Sequence, residues 1–160
     1  MKNFSVTQKL LSFGATYKVT SSLSPVVSMT VKGKVFSISP KLDAYRGEDG
    51  DIIATMQGNF LKSEFTVTKN GAEIGTIQFP IISIFRSFTL IIGDKVYKSG
   101  KGIVSNKLTA KDDTGKVMLS IAKDFTFRDQ FSVEADESIP DELAALAAIA
   151  LDQRFFEGKN

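Results

Sequence analysis

The sequence predicts a mainly β single domain: a closed barrel of about twelve strands in two repeats, wrapped around a buried apolar C-terminal α-helix. Three observations predict it. Strand signals recur at short intervals through roughly the first 135 residues. The chain repeats itself with a period of roughly 65 residues. Leu143–Leu151 then runs nine apolar residues without a break. A helix that is apolar on all sides has no face for water. At roughly 14 Å it is too short for a bilayer, which needs about 20 residues. The strands are the only material that can wrap it.

Taken in order, Val26–Val31 leads through Lys32-Gly33 into a second strand, Lys34–Ile38. Ile52–Met56 follows a Glu48-Asp49-Gly50 turn. Glu64–Thr68 alternates and meets Asn70-Gly71, the strongest short hairpin signal, after which Ala72–Phe79 returns. Pro80–Phe85 reads as a crossover or a buried strand between the halves. Phe88–Ile92 meets Gly93-Asp94 and returns as Lys95–Tyr97, and Lys116–Ala122 and Gln130–Ala135 complete the series. Ser138 reads as the helix N-cap, with Asp141 three residues on and Pro140 in the first turn. Asp141 and Glu142 suit the positive end of the helix dipole.

The repeat pairs Asp49–Met56 with Thr114–Ile121, Phe65-Thr66-Val67 with Phe131-Ser132-Val133, and Lys34-Val35-Phe36 with Lys95-Val96-Tyr97. One domain, residues 1–160, therefore divides into half-barrels at approximately 16–79 and 87–156. Gly50 and Gly115 are expected in equivalent hairpin turns with positive φ.

The 160 residues contain 13 Phe, no Cys and no His. Disulfides, thiolate nucleophiles and Cys-ligated metals are excluded, and the commonest general base is missing. The N-terminus does not read as a signal peptide, because Leu10-Leu11 is the only apolar pair before Gly14. Neither myristoylation nor prenylation signals occur. Net charge is +2 but unevenly spread. Residues 1–42 carry Lys2, Lys9, Lys18, Lys32, Lys34 and Lys41 with no acid, and residues 134–142 carry five acids with no base. The lysines stand singly, so no nucleic-acid partner is expected.

Several local patterns resemble the LURP-one-related proteins of the tubby C-terminal-like superfamily, which also includes phospholipid scramblases. They are Gln8–Ser12, Tyr17-Lys18-Val19, Gly33–Ser37, Lys69-Asn70-Gly71, Phe131-Ser132-Val133, and the closing helix Leu143–Leu151 followed by Asp152. The resemblance implies a twelve-strand barrel closed around an apolar helix. It also implies, from tubby domains, phosphoinositide head groups bound by exterior basic residues. The chain departs from scramblases in lacking Cys and in following its helix with the charged Asp152-Gln153-Arg154. The tubby basic residues cannot be matched position by position.

No residue pattern identifies a reaction. The acids are expected mostly in turns: Asp43, Glu48-Asp49, Asp112-Asp113 and Asp136-Glu137. Asp112-Asp113-Thr114-Gly115 lacks the bidentate Glu of a calcium loop, because Lys123 holds that place. Gly100-Lys101-Gly102 is not a phosphate loop. The candidate ligand contacts are isolated bases inside apolar runs: Lys62, Arg86 and Arg128, suited to an anionic head group beside exposed Phe. The expectation is a non-enzymatic intracellular protein, cytoplasmic and peripheral at the inner membrane surface. It would recognise anionic phospholipid and use no cofactor and no metal. The alternative is a protein-interaction scaffold without a small ligand, and an enzyme ranks third.

Overall fold

The computed structural model describes residues 1–11, 14–34, 38–82, 84–100, 106–124 and 130–156. Among the described residues twelve strands follow one another and a single helix comes last. The first six are β1 (Lys2–Leu11), β2 (Gly14–Ser21), β3 (Val27–Gly33), β4 (Lys41–Arg46), β5 (Ile52–Gly58) and β6 (Glu64–Lys69). Then come β7 (Ala72–Gln78), β8 (Thr89–Ile92), β9 (Lys95–Ser99), β10 (Lys107–Lys111), β11 (Val117–Asp124), β12 (Gln130–Ala135) and α1 (Asp141–Phe155). Each strand pairs antiparallel with the next, and β12 pairs with β1, from Lys2↔Ala135 to Thr7↔Gln130, to close the barrel. Closure leaves no sheet edge exposed.

Period-two alternation fixes which side chains enter. In β12, Phe131, Val133 and Ala135 are buried, and in β6, Phe65 and Val67 are. Inside lies α1, with every residue from Leu143 to Gln153 buried. It packs closely against β12 and β1 on one wall and against β5, β6 and β7 on the opposite wall. The Ala-rich helix is thin, and the wall thins to meet it. A Cβ on Gly75 would lie 2.6 Å from the Leu143 side chain. Asn70 and Gly71 both have positive φ (54° and 77°), the backbone a two-residue hairpin of this twist requires.

Several expectations change. The helix starts at Asp141 with Pro140 as N-cap and no side-chain cap. Ser138 instead donates to the Asp136 carboxylate through its hydroxyl (2.5 Å) and its backbone N–H (3.0 Å). Of the strand expected at Lys34–Ile38, residues 35–37 lie outside the described residues and Ile38 is exposed. The strand that follows β3 is β4. The expected crossover or buried strand at Pro80–Phe85, of which Ser83 lies outside the described residues, falls between the neighbouring strands β7 and β8, with Ile81, Ile82 and Ile84 exposed. Gly115 has φ of 88°, but Gly50 does not share it. In the β4–β5 turn the positive φ belongs to Gly47, and Gly50 is required because a Cβ there would lie 2.3 Å from the Arg46 carbonyl oxygen. Asp152 and Gln153 are buried within the helix rather than part of a charged tail.

Candidate functional site

In an up-and-down barrel the connections alternate between two ends. The turns β2–β3, β4–β5, β6–β7, β8–β9 and β10–β11 lie with the start of α1. The connections β3–β4, β5–β6 and β7–β8 lie with its C-terminus. The two ends differ in charge. The first carries Glu48, Asp49, Asp94, Asp112, Asp136 and Glu137 in its turns, and Asp141 and Glu142 in the opening of the helix. At the second, the described connections carry Lys34, Lys62 and Arg86 and no acid, and Arg154 lies in the last turn of the helix.

Lys62 stands at this basic end in the β5–β6 connection, with φ of 54°. Asn59 builds that turn. Its side-chain oxygen accepts from the Ser63 (2.8 Å) and Glu64 (3.2 Å) amides, and its amide nitrogen donates to the Ser63 hydroxyl (2.8 Å). The turn presents Phe60 and Leu61 to solvent. Arg86, in the neighbouring β7–β8 connection, holds its guanidinium 4.5 Å from the centre of the Phe156 ring. Lys123 at the end of β11 brings its ammonium 4.0 Å from the centre of the same ring. One aromatic ring at the end of α1 thus draws both cations to it. Arg128 lies outside the described residues. Lys62 and Arg86 therefore share one end of the barrel on adjacent connections.

Sequence reasoning missed two residues here. Lys123 was hidden because only barrel closure brings β11 beside the end of α1. Arg154 ties the helix to both neighbouring connections. It donates to the Leu61 carbonyl (3.2 Å) in one and to the Pro80 (2.8 Å) and Ile81 (3.0 Å) carbonyls in the other. Phe155 adds an edge-to-face contact with Phe79, ring centres 5.4 Å apart. A positive residue in the last helical turn was the one available signal.

The lysines of the acid-free first 42 residues divide between the two ends, and of them Lys34 stands at the basic end. Lys2 pairs with Asp141 (2.7 Å) at the acidic end, Lys18 with Glu48 (3.1 Å), and Lys32 lies over Tyr45 (5.4 Å).

The acidic end holds a cleft of about 570 Å³ beside Asp94, Asp112, Asp113 and Asp136. Two of these carboxylates, Asp112 and Asp136, serve the turns they sit in. Asp112 accepts from the Thr114 hydroxyl (2.7 Å) and from the Thr114 and Lys116 amides (2.9 Å each). The Thr114 hydroxyl above all holds the Asp112 carboxyl below its ordinary range. Among the described residues no group of acids could hold a metal ion, and no helix is long and apolar enough to cross a membrane.

These features define a closed twelve-stranded antiparallel barrel filled by its C-terminal helix, with an acidic and a basic end. No protein-family model and no curated protein sequence matches the chain. Solved structures do match. One is the X-ray structure of a protein from Arabidopsis thaliana, with a TM-score of 0.62 over 94% of this chain and 91% of that chain at 11% identity. At that identity the likeness is one of fold.

Proposed function

We propose that this chain is a LURP-one-related barrel of the tubby C-terminal-like superfamily. It binds anionic phospholipid head groups at the cytoplasmic surface of a membrane and catalyses no reaction. The observation that carries the reading is the charge segregation. Lys62 and Arg86 stand on connections that carry no acid among the described residues, with Lys123 beside Asp124 at the close of β11 and Glu64 at the start of β6, while the acids crowd the connections of the other end. Such a molecule is oriented by a negative surface before it touches it. The absence of catalysis is supported by acids bound into their own turns and by a Ser63 hydroxyl engaged by Asn59. Two six-stranded halves are supported by a second correspondence. Lys41-Leu42-Asp43-Ala44 in β4 parallels Lys107-Leu108-Thr109-Ala110 in β10, and a bulge follows each alanine.

Sedimentation with phosphatidylserine-containing and with neutral vesicles tests the reading. Pelleting with the anionic vesicles alone is expected, weakening as salt shortens the Debye length from ~10 Å at 0.1 M to ~3 Å at 1 M. No pelleting at low salt overturns it in favour of a protein-interaction scaffold, which the exposed Phe60 and Leu61 would equally suit.

A further inference from the structure

We infer that the β7–β8 connection is a membrane wedge: Ile81, Ile82 and Ile84 enter the boundary between head groups and acyl chains while the surrounding bases hold the phosphates. This deepens the proposed lipid-binding function and rests on it.

The inference starts from exposed apolar residues with no packing role. Ile82 is 94% exposed and Ile84 89% exposed. Isolated exposed hydrophobes are ordinary, but clusters rimmed by charge mark interaction surfaces. Here Ile81, Ile82 and Ile84 share one end of the barrel with exposed Ile38, Phe60 and Leu61. That is also the end where Lys62, Arg86 and Lys123 stand. Ile81, Ile82 and Ile84 are exposed on one connection, while Phe60 of the next borders an open groove. The bases that share this end favour an anionic lipid phase as the occupant over a neutral protein surface. Basic residues around an apolar tip are the pattern of interfacial anchors, in which shallow apolar burial and attraction to anionic lipid act together.

The wedge is also held in place. Arg154 bonds the Pro80 and Ile81 carbonyls from the helix end, and Phe155 packs on Phe79 just before them. A connection anchored at its start, through Phe79, Pro80 and Ile81, loses less freedom on docking. Docking by this end stands α1 across the surface plane, with its C-terminus towards the membrane and the acidic turns farthest from the lipid.

The chain has no Cys, so a single introduced thiol labels one place. Ile82→Cys and Leu23→Cys, the latter 95% exposed at the opposite end, are each labelled with the environment-sensitive fluorophore NBD. They are then mixed with vesicles of phosphatidylserine and phosphatidylcholine. A blue shift with quenching by brominated acyl chains is expected at position 82 and not at 23. The double variant Ile82→Asp with Ile84→Asp should bind these vesicles at least ten-fold more weakly and unfold at the same temperature as the native chain. Pelleting without a spectral change at position 82 overturns the wedge and leaves head-group binding standing. No pelleting by the unlabelled chain overturns both. A blue shift without vesicles, accompanied by doubled mass in light scattering, overturns the wedge in favour of a second copy of this chain.

Discussion

The Tyr17 phenol on β2 donates a hydrogen bond to the Asp152 carboxylate on α1 across 2.7 Å, and the Gln153 side-chain amide donates to the same phenol oxygen at 3.0 Å. All three residues are buried, Asp152 with only 2% of its surface exposed. A carboxylate so deep in an apolar lumen is stable only with partners. Tyr17→Phe removes one donor to Asp152 and the acceptor for Gln153. We expect a loss of ~1.5–3 kcal/mol, the scale of a hydrogen bond to a charged group. Urea unfolding checks it, and an unchanged midpoint would mean that water replaces the phenol.

The helix carries the second prediction. Leu146→Ala should cost ~2–5 kcal/mol through lost burial and a residual cavity. Ala147→Asp places an unpaired charge at the centre of the lumen and should abolish cooperative folding. A chain ended before Pro140 should lose its sharp thermal transition, because Phe65, Phe131 and their inward neighbours would line an empty barrel. A cooperative melt of that truncation would contradict the role given to α1.

A third prediction concerns the closest approach of wall and helix. Gly75→Ala sets a methyl 2.6 Å from Leu143 Cδ2, well inside van der Waals contact. Overpacking of this kind typically costs ~1–3 kcal/mol. Leu143→Ala leaves room for that methyl, so the double variant should be more stable than the sum of the single losses predicts. A double-mutant cycle reads the coupling, and strict additivity would show that the strand moves away instead.

The fourth is a pH dependence. The Asp136 carboxyl accepts from the Ser138 hydroxyl and amide and faces Lys116 across 3.1 Å. The Ser138 hydroxyl foremost, then the Ser138 amide and Lys116, hold it well below the ordinary 3.8. A carboxylate depressed in the folded state stabilises fully above its unfolded value, and that contribution fades as pH falls through the range towards the folded one. The stability gap between the native chain and Asp136→Asn should be widest above about pH 5 and close progressively in acid. A gap that widens on acidification would refute this.

The features legible in the sequence are those encoded locally. Asn70-Gly71 announces its hairpin through backbone preference alone, and Leu143–Leu151 announces a buried helix by having no polar face. The strands β4 and β10 are faint because their buried residues are one leucine and one alanine each. Isoleucines at 81, 82 and 84 read as a crossover or a buried strand, because an apolar run carries no mark of which phase it meets. At the candidate site, Lys62 and Arg86 stand out as bases among hydrophobes. The meeting of Arg86 and Lys123 on Phe156, like that of Tyr17 and Asp152, depends on contacts across much of the chain.

The order of the elements also bears on biosynthesis. Strand β1 must wait for β12, more than a hundred residues later, before Lys2 can pair with Ala135. The filling of the lumen, α1, is synthesised after every wall that surrounds it. Such distant pairing is slow to form, and a nascent chain that has not yet released α1 exposes inward-facing Phe and Ile. The decisive step of folding therefore waits until α1 has left the ribosome. A ribosome that stalls before α1 yields a coreless sheet that chaperones and proteases can recognise, so completion of the native barrel reports that synthesis has passed through residue 155.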